Sequence, residues 1–106
     1  MSDVATKKLH ENEKAIIWEL KLEPGESTGV HSHKHDYLFH VLSGSTLETI
    51  DKEGRLLGTF EAETGRTYNF KIEGDELVYP GGRVSATHAA KNVGPAAYYE
   101  ILVEFK

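Results

Sequence analysis

Apolar residues recur at every second position in several short stretches of the chain. Ile16, Trp18, Leu20 and Leu22 fall on one face, with Glu19, Lys21 and Glu23 on the other. Successive residues of an extended chain point to opposite sides, so this alternation predicts a half-buried strand. Tyr68, Phe70 and Ile72 alternate with Thr67, Asn69 and Lys71 in the same way. The clearest alternation closes the chain, with Tyr99, Ile101, Val103 and Phe105 on one face and Glu100, Glu104 and Lys106 on the other. Thr46–Asp51 and Leu56–Phe60 read as two more strands joined by a hairpin turn at Lys52-Glu53-Gly54-Arg55, and Leu77-Val78-Tyr79 reads as a short one. Pro24-Gly25-Glu26, Ser43-Gly44, Thr64-Gly65 and Pro80-Gly81-Gly82 supply turns between them. No segment carries a convincing helical period. Short strands separated by glycine turns predict an all-β sandwich or barrel. Residues 1–14 are polar and read as a loose or weakly docked arm, which leaves 15–106 as the single domain.

One stretch breaks the one-sided pattern. VHSHKHDYLFHVLSG, residues 30–44, places four of the chain's six histidines between His31 and His40. Beyond them Tyr37, Leu38, Phe39, Val41 and Leu42 put apolar groups on both faces. Such a strand needs a cover on each side: the barrel interior on one, a second sheet or a second subunit on the other. A homodimer is therefore expected. Residues two apart on a strand point the same way, so His31 and His33 project side by side. Two imidazoles so placed suit one metal ion, at nitrogen–metal distances of about 2.0–2.1 Å. Tyr37 shares their parity if the strand stays regular, while Asp36 and His40 have the opposite parity. A third ligand must come from elsewhere. His88 is the candidate, lying after the Pro-Gly-Gly turn and before Asn92.

Composition narrows the partners. The 106 residues suffice for one domain with one core. The absence of cysteine rules out disulfides, thiolate nucleophiles and zinc–thiolate sites. It also fits a reducing compartment. The opening MSDVATKKLHENEKA has no apolar h-region, and no apolar run approaches the roughly 20 residues of a membrane span. A cytoplasmic location is expected. The formal net charge of −5 and pI of about 5.6 come from charges mixed along the chain. Nucleic acid and anionic membranes are poor partners for such a surface, and a small-molecule ligand is the expected one.

The spacing of these residues carries a resemblance. Gly25, His31-Ser32-His33, Tyr37 and Gly44 resemble the first motif of the cupin superfamily, G-x5-H-x-H-x3,4-E-x6-G. Gly74, Pro80, Gly82, His88 and Asn92 resemble the second, G-x5-P-x-G-x2-H-x3-N. The H-x-H-x-H-D-Y run and the C-terminal NVGPAAYYEILVEFK are most similar to small single-domain cupins, some of which are named for β-alanine degradation. The resemblance implies a jelly-roll barrel of antiparallel strands. It also implies a mononuclear site for a divalent metal on His31, His33 and His88.

Two departures from the pattern matter. Tyr37 stands where most metal cupins carry glutamate, so the anionic ligand is missing. The remaining three-histidine set resembles that of the thiol and diketone dioxygenase cupins, which bind ferrous iron. Tyr37 is then a phenol beside the metal, either donating to whatever binds there or ligating weakly. In addition, five residues separate Gly82 from His88 where the motif has two. The second motif can instead begin at TGRTYNF, with KIEGDELVYPGGRVSAT as an inserted hairpin or lid.

Neighbouring residues have expected parts. His35 reads as an outer support of the site or a surface group, with exchange for one of the ligands as the alternative. Asp36 reads as an acceptor orienting an imidazole N–H, with ligation as the alternative. Arg83 is either the fork for a substrate carboxylate or a solvated loop arginine. Asn92 is expected to tie down a loop, and His40 to face the intersheet or dimer side. His10 belongs to the polar arm, and Trp18 and Phe39 to the core. Three functional classes fit: an enzyme acting on a small acid or polar carbonyl compound, a metal- or ligand-binding sensor module, and a relic that has lost its metal. Within the enzyme class, iron suits oxygenase chemistry, while zinc, nickel or manganese suits a lyase or isomerase.

Overall fold

The computed structural model describes residues 1–106 as eleven β-strands, with no helix. Seven strands form one sheet, in the order β1 (Lys7–Glu11), β2 (Ala15–Leu22), β11 (Tyr98–Phe105), β4 (Asp36–Ser43), β7 (Thr67–Glu73), β8 (Glu76–Tyr79) and β9 (Gly82–Ser85). The other four, β3 (His31–Ser32), β10 (Thr87–Asn92), β5 (Ser45–Ile50) and β6 (Leu56–Ala62), form the second. The named pairings within both sheets are antiparallel. The sheets enclose one apolar core that includes Trp18, Leu20, Phe39, Val41, Leu47 and Leu102. This is the all-β jelly roll expected from the alternation and the turns. No helix is long and apolar enough to cross a membrane.

Three features depart from the simple pattern. The histidine stretch is not one strand. It breaks after Ser32 and resumes at Asp36, so β3 lies in the small sheet and β4 in the large one. The arm is docked in part: Lys7–Glu11 pairs with β2 as an exposed edge strand, and the Ser2 amide donates to the Val30 carbonyl at 2.9 Å. Third, β7, β8 and β9 form a meander, with Lys71 opposite Val78 and Leu77 opposite Val84. The residues between the two motif halves thus extend the large sheet, and Leu77 at their centre is fully buried.

The last strand is turned over relative to its apparent amphipathicity. Tyr98, Glu100, Leu102 and Glu104 face inward, while Tyr99, Ile101 and Val103 are half-buried and Phe105 is exposed. Register explains this. Leu22, Leu20 and Trp18, the inner face of β2, lie opposite Tyr98, Glu100 and Leu102. Burying Tyr98 and Leu102 carries the two glutamates inside with them, because the period is two. Each glutamate has a partner there. Trp18 Nε1 donates to Glu104 at 2.7 Å, and the Tyr98 hydroxyl donates to Glu100 at 2.5 Å.

Candidate metal centre

His31 and His88 meet because β3 and β10 are antiparallel partners in which these two residues lie directly opposite each other. Directly opposed side chains share a face at close range. The pairing is reinforced beside them by a 2.8 Å hydrogen bond between the Ser32 and Thr87 hydroxyls. His33, two residues on, is held in line by its amide, which donates to the Ala86 carbonyl at 2.8 Å. The ring centroids of His31, His33 and His88 lie 4.9–5.1 Å apart. All three side chains are buried, and one nitrogen from each falls within 4.8 Å of the others.

The hydrogen bonds select the nitrogen that is free to ligate. His31 Nδ1 lies 3.0 Å from the Gly29 carbonyl, and His88 Nδ1 lies 2.7 Å from the Ser85 carbonyl. A carbonyl only accepts, so each Nδ1 carries the proton and each Nε2 presents a lone pair. His33 Nδ1 is the one fully enclosed side-chain nitrogen or oxygen without a partner. Leaving such an atom unpaired costs about 1–3 kcal/mol. Burial pushes the His31 ring down to about 4 and the His33 ring to about 2, helped by the neighbouring histidines, and lowers His88 as well. The rings are therefore neutral at pH 7, the state in which imidazole binds a metal. Three neutral, converging imidazoles fit a divalent ion of the zinc, nickel or iron type.

The histidines open onto a cavity of about 150 Å³ between the sheets, which Tyr37, Phe39 and Glu100 also line. Tyr37 stacks on His33 at 4.3 Å and on Phe70 at 5.0 Å. Burial raises its phenol well above the ordinary range, and the Glu100 and Glu104 carboxyls push the same way. The ring stays protonated.

The other residues singled out in the sequence lie in different settings. Asp36 is exposed and accepts from the Ile72 amide at 2.9 Å, so it caps a neighbouring strand and orients no imidazole. His35 is half-buried in the β3–β4 corner, outside the three-ring group. His40 faces away from the core, with Nδ1 at 2.8 Å from the Thr67 hydroxyl. Arg83 reaches the cavity wall but pairs with Glu73 and Glu76 at 3.2 and 3.3 Å. Asn92 is fully buried, and its amide ties the end of β2 at Leu22 and the start of β5 at Ser45 to the loop at Gly94 and Ala96. Two of the motif glycines have physical reasons: Gly25 sits at φ +88°, and a Cβ at Gly44 would collide with the Ala62 carbonyl. Sequence reasoning missed Glu100. The signal was the other frame of the last strand, in which Tyr98 and Leu102 share its parity.

Neither a family model nor a curated protein matches the chain. Solved structures do. A cupin domain from Bordetella pertussis Tohama I superposes with a TM-score of 0.73 at 21% identity, covering 94% of this chain and 90% of that one. A Cupin 2 conserved barrel domain protein from Salinispora arenicola gives a TM-score of 0.58 at 15% identity, over 94% and 73% of the two chains. A Klebsiella pneumoniae protein with a double-stranded β-helix domain gives 0.56 at 20% identity, over 91% and 70%. With its two antiparallel sheets and the histidine group between them, the chain has the fold of a small cupin domain.

Proposed function

We propose that this protein binds one divalent metal ion on His31, His33 and His88 and acts on a small acid or polar carbonyl compound. The observation that carries the reading is the convergence of three buried, neutral imidazoles on the wall of a cavity. A neutral donor set leaves the metal's two positive charges uncompensated, which favours an anionic ligand in the open positions. Ferrous iron, our first choice of metal, would supply oxygen activation there, and zinc, nickel or manganese would supply Lewis-acid polarisation. The chain's own groups hold the setting. The Gly29 and Ser85 carbonyls lock two ring orientations. Tyr37 keeps its proton and presents a hydroxyl, and Phe39 and Phe70 give the cavity apolar walls.

Metal analysis and thermal melting test this. About one metal ion per chain is expected after dialysis. At a metal concentration 100-fold above the dissociation constant the site adds about 2.7 kcal/mol. For a domain of this size that is roughly 10–20 °C in Tm, removed by a chelator. His88→Ala should carry no metal and show no chelator effect, while Tyr37→Phe should keep its metal and lose ligand binding or turnover. Equal metal in wild type and His88→Ala would exclude the site. Full metal with no turnover of any small acid would leave a binding module rather than an enzyme.

The outer face of the large sheet supports the expected homodimer as part of this proposal. Val103 lies between Ile17 and Leu38 in one row across β2, β11 and β4. Phe105, next along the same face of β11, is 45% exposed, and Leu42 at the far end of β4 is 46% exposed. An apolar row on a sheet face is a self-complementary patch for a two-fold pair. Light scattering at micromolar concentration should return twice the 11.8 kDa chain mass, and Val103→Lys should return the single mass. A wild-type monomer would reject the pairing.

A further inference from the structure

Glu100 is a charged residue type placed where the fold has no cation to meet it. It is buried, lines the same cavity as the three histidines, and is held by one hydrogen bond, from the Tyr98 hydroxyl to Oε1. Its other oxygen, Oε2, takes no hydrogen bond from the protein. Since His33 Nδ1 is the only fully enclosed side-chain atom without a partner, Oε2 keeps accessible surface, and the surface available to it is the cavity. The same reasoning applies to the Tyr37 hydroxyl. The histidines and Glu100 thus line one space, His31 and His88 from the small sheet and Glu100 from the large one, with Leu20, Phe39 and Leu102 among its apolar walls.

The groups that bear on Glu100 decide its protonation. On its own strand these are Tyr98 and, two rungs away, Glu104. Val41 lies opposite it on β4, where the Tyr37 phenol also feels its charge, and Tyr68 of β7 bears on Tyr98. β2 presents Leu20 and Leu22. Arg83 at the cavity wall is already paired with Glu73 and Glu76. With no cation beside it, burial pushes the carboxyl up to about 8, against the pull of the Tyr98 hydrogen bond. At pH 7 it carries a proton.

We propose that Glu100 is the second anchor of the cavity and donates a hydrogen bond to the ligand end remote from the histidines. The ligand class is therefore short two-ended acids with an oxygen acceptor at each end, such as small dicarboxylates and keto acids. A protonated carboxyl receives such an end without charge repulsion. An apolar ligand end would leave the Glu100 O–H unpaired in a buried site, which disfavours monoacids of the same length. This rests on the metal reading above, which supplies the first anchor.

Calorimetry on the zinc-loaded protein with succinate and butyrate tests the inference. Succinate should bind about tenfold more tightly than butyrate at pH 7, the ratio set by one hydrogen bond to a charged group. Glu100→Leu should abolish the preference from both sides, weakening succinate and tightening butyrate, whose apolar end no longer leaves a buried O–H unpaired. Glu100→Gln, whose amide also donates, should keep the preference. In wild type the preference should fade as pH rises through about 8, where Glu100 ionises and repels the second carboxylate; in Glu100→Gln it should not. If Glu100→Leu does not fold, this difference in pH response decides the matter. Zinc binding without a succinate preference, or a preference with the same pH response in both proteins, overturns the inference and leaves the metal reading standing. Failure of zinc to bind wild type overturns both.

Discussion

Asn92→Ala is expected to destabilise the fold by on the order of 5 kcal/mol, a large share of what a domain of this size has. The side chain has no exposed surface and makes four hydrogen bonds. Its Oδ1 accepts from the Ser45 hydroxyl at 2.7 Å and the Gly94 amide at 3.0 Å. Its Nδ2 donates to the Leu22 carbonyl at 2.9 Å and the Ala96 carbonyl at 2.8 Å. Alanine removes both halves of the amide and leaves four groups unpaired, at about 1–3 kcal/mol each and less than additively, because the serine can rotate. Asn92→Asp should also be costly, since an acceptor oxygen would then face two carbonyls. Lys91→Ala next door should change stability by less than about 0.5 kcal/mol. Urea denaturation measures all three, and a loss under about 1 kcal/mol for Asn92→Ala would show that the loops hold together without it.

Glu100→Gln is expected to stabilise the protein at pH 8 and to change it little near pH 4.5. The Glu100 carboxyl is raised from 4.5 to about 8 in the fold, chiefly by burial. As pH rises, the unfolded chain therefore gives up this proton first, and the native state is left holding it. The stability tied to this proton is fully present below 4.5, declines between 4.5 and 8, and is lost above 8. The decline amounts to on the order of 5 kcal/mol for a shift of that size. Glutamine keeps an acceptor for the Tyr98 hydroxyl and has no proton to lose, so its curve lacks the decline. The histidines act in the opposite sense. Their lowered values make the unfolded chain bind protons first as pH falls, so stability drops on the acid side in both proteins. The difference between the two curves isolates Glu100. Parallel curves from pH 4.5 to 8 would mean that Glu100 is ionised in the fold.

Much of this arrangement was legible in the order of residues, and the exceptions share a cause. Tyr37 reaches the interior beside His33 as its parity predicted, yet the strand that the parity assumed is broken between Ser32 and Asp36. The side chain is placed instead by its own strand, where Tyr37, Phe39 and Val41 form the inner face of β4. Asp36 shows the other side of this. Sequence proximity to the histidines suggested that it would steer an imidazole, but the corner separates the two sheets and leaves Asp36 on an exposed strand end, capping Ile72. The ring orientations come from the Gly29 and Ser85 carbonyls, and no side-chain pattern records backbone acceptors of this kind.

Local sequence determined most of the strands, the turns between them and the all-β class, because strand periodicity and glycine turns are short-range consequences of backbone geometry; Lys7–Glu11, Gly82–Ser85 and Thr87–Asn92, which carry no such alternation, became strands only through their partners. Which face of a strand points inward is a long-range matter. The frame of β11 is chosen by the register that sets Trp18, Leu20 and Leu22 against Leu102, Glu100 and Tyr98. That register places two glutamates in the core and an apolar row outside. The pairing of β3 with β10 joins His31 to His88 across more than half the chain. The opposition of the two sheets then sets Glu100 across a cavity from the histidines. Alternation along one strand reports only which residues share a face; the neighbouring strands decide what that face meets.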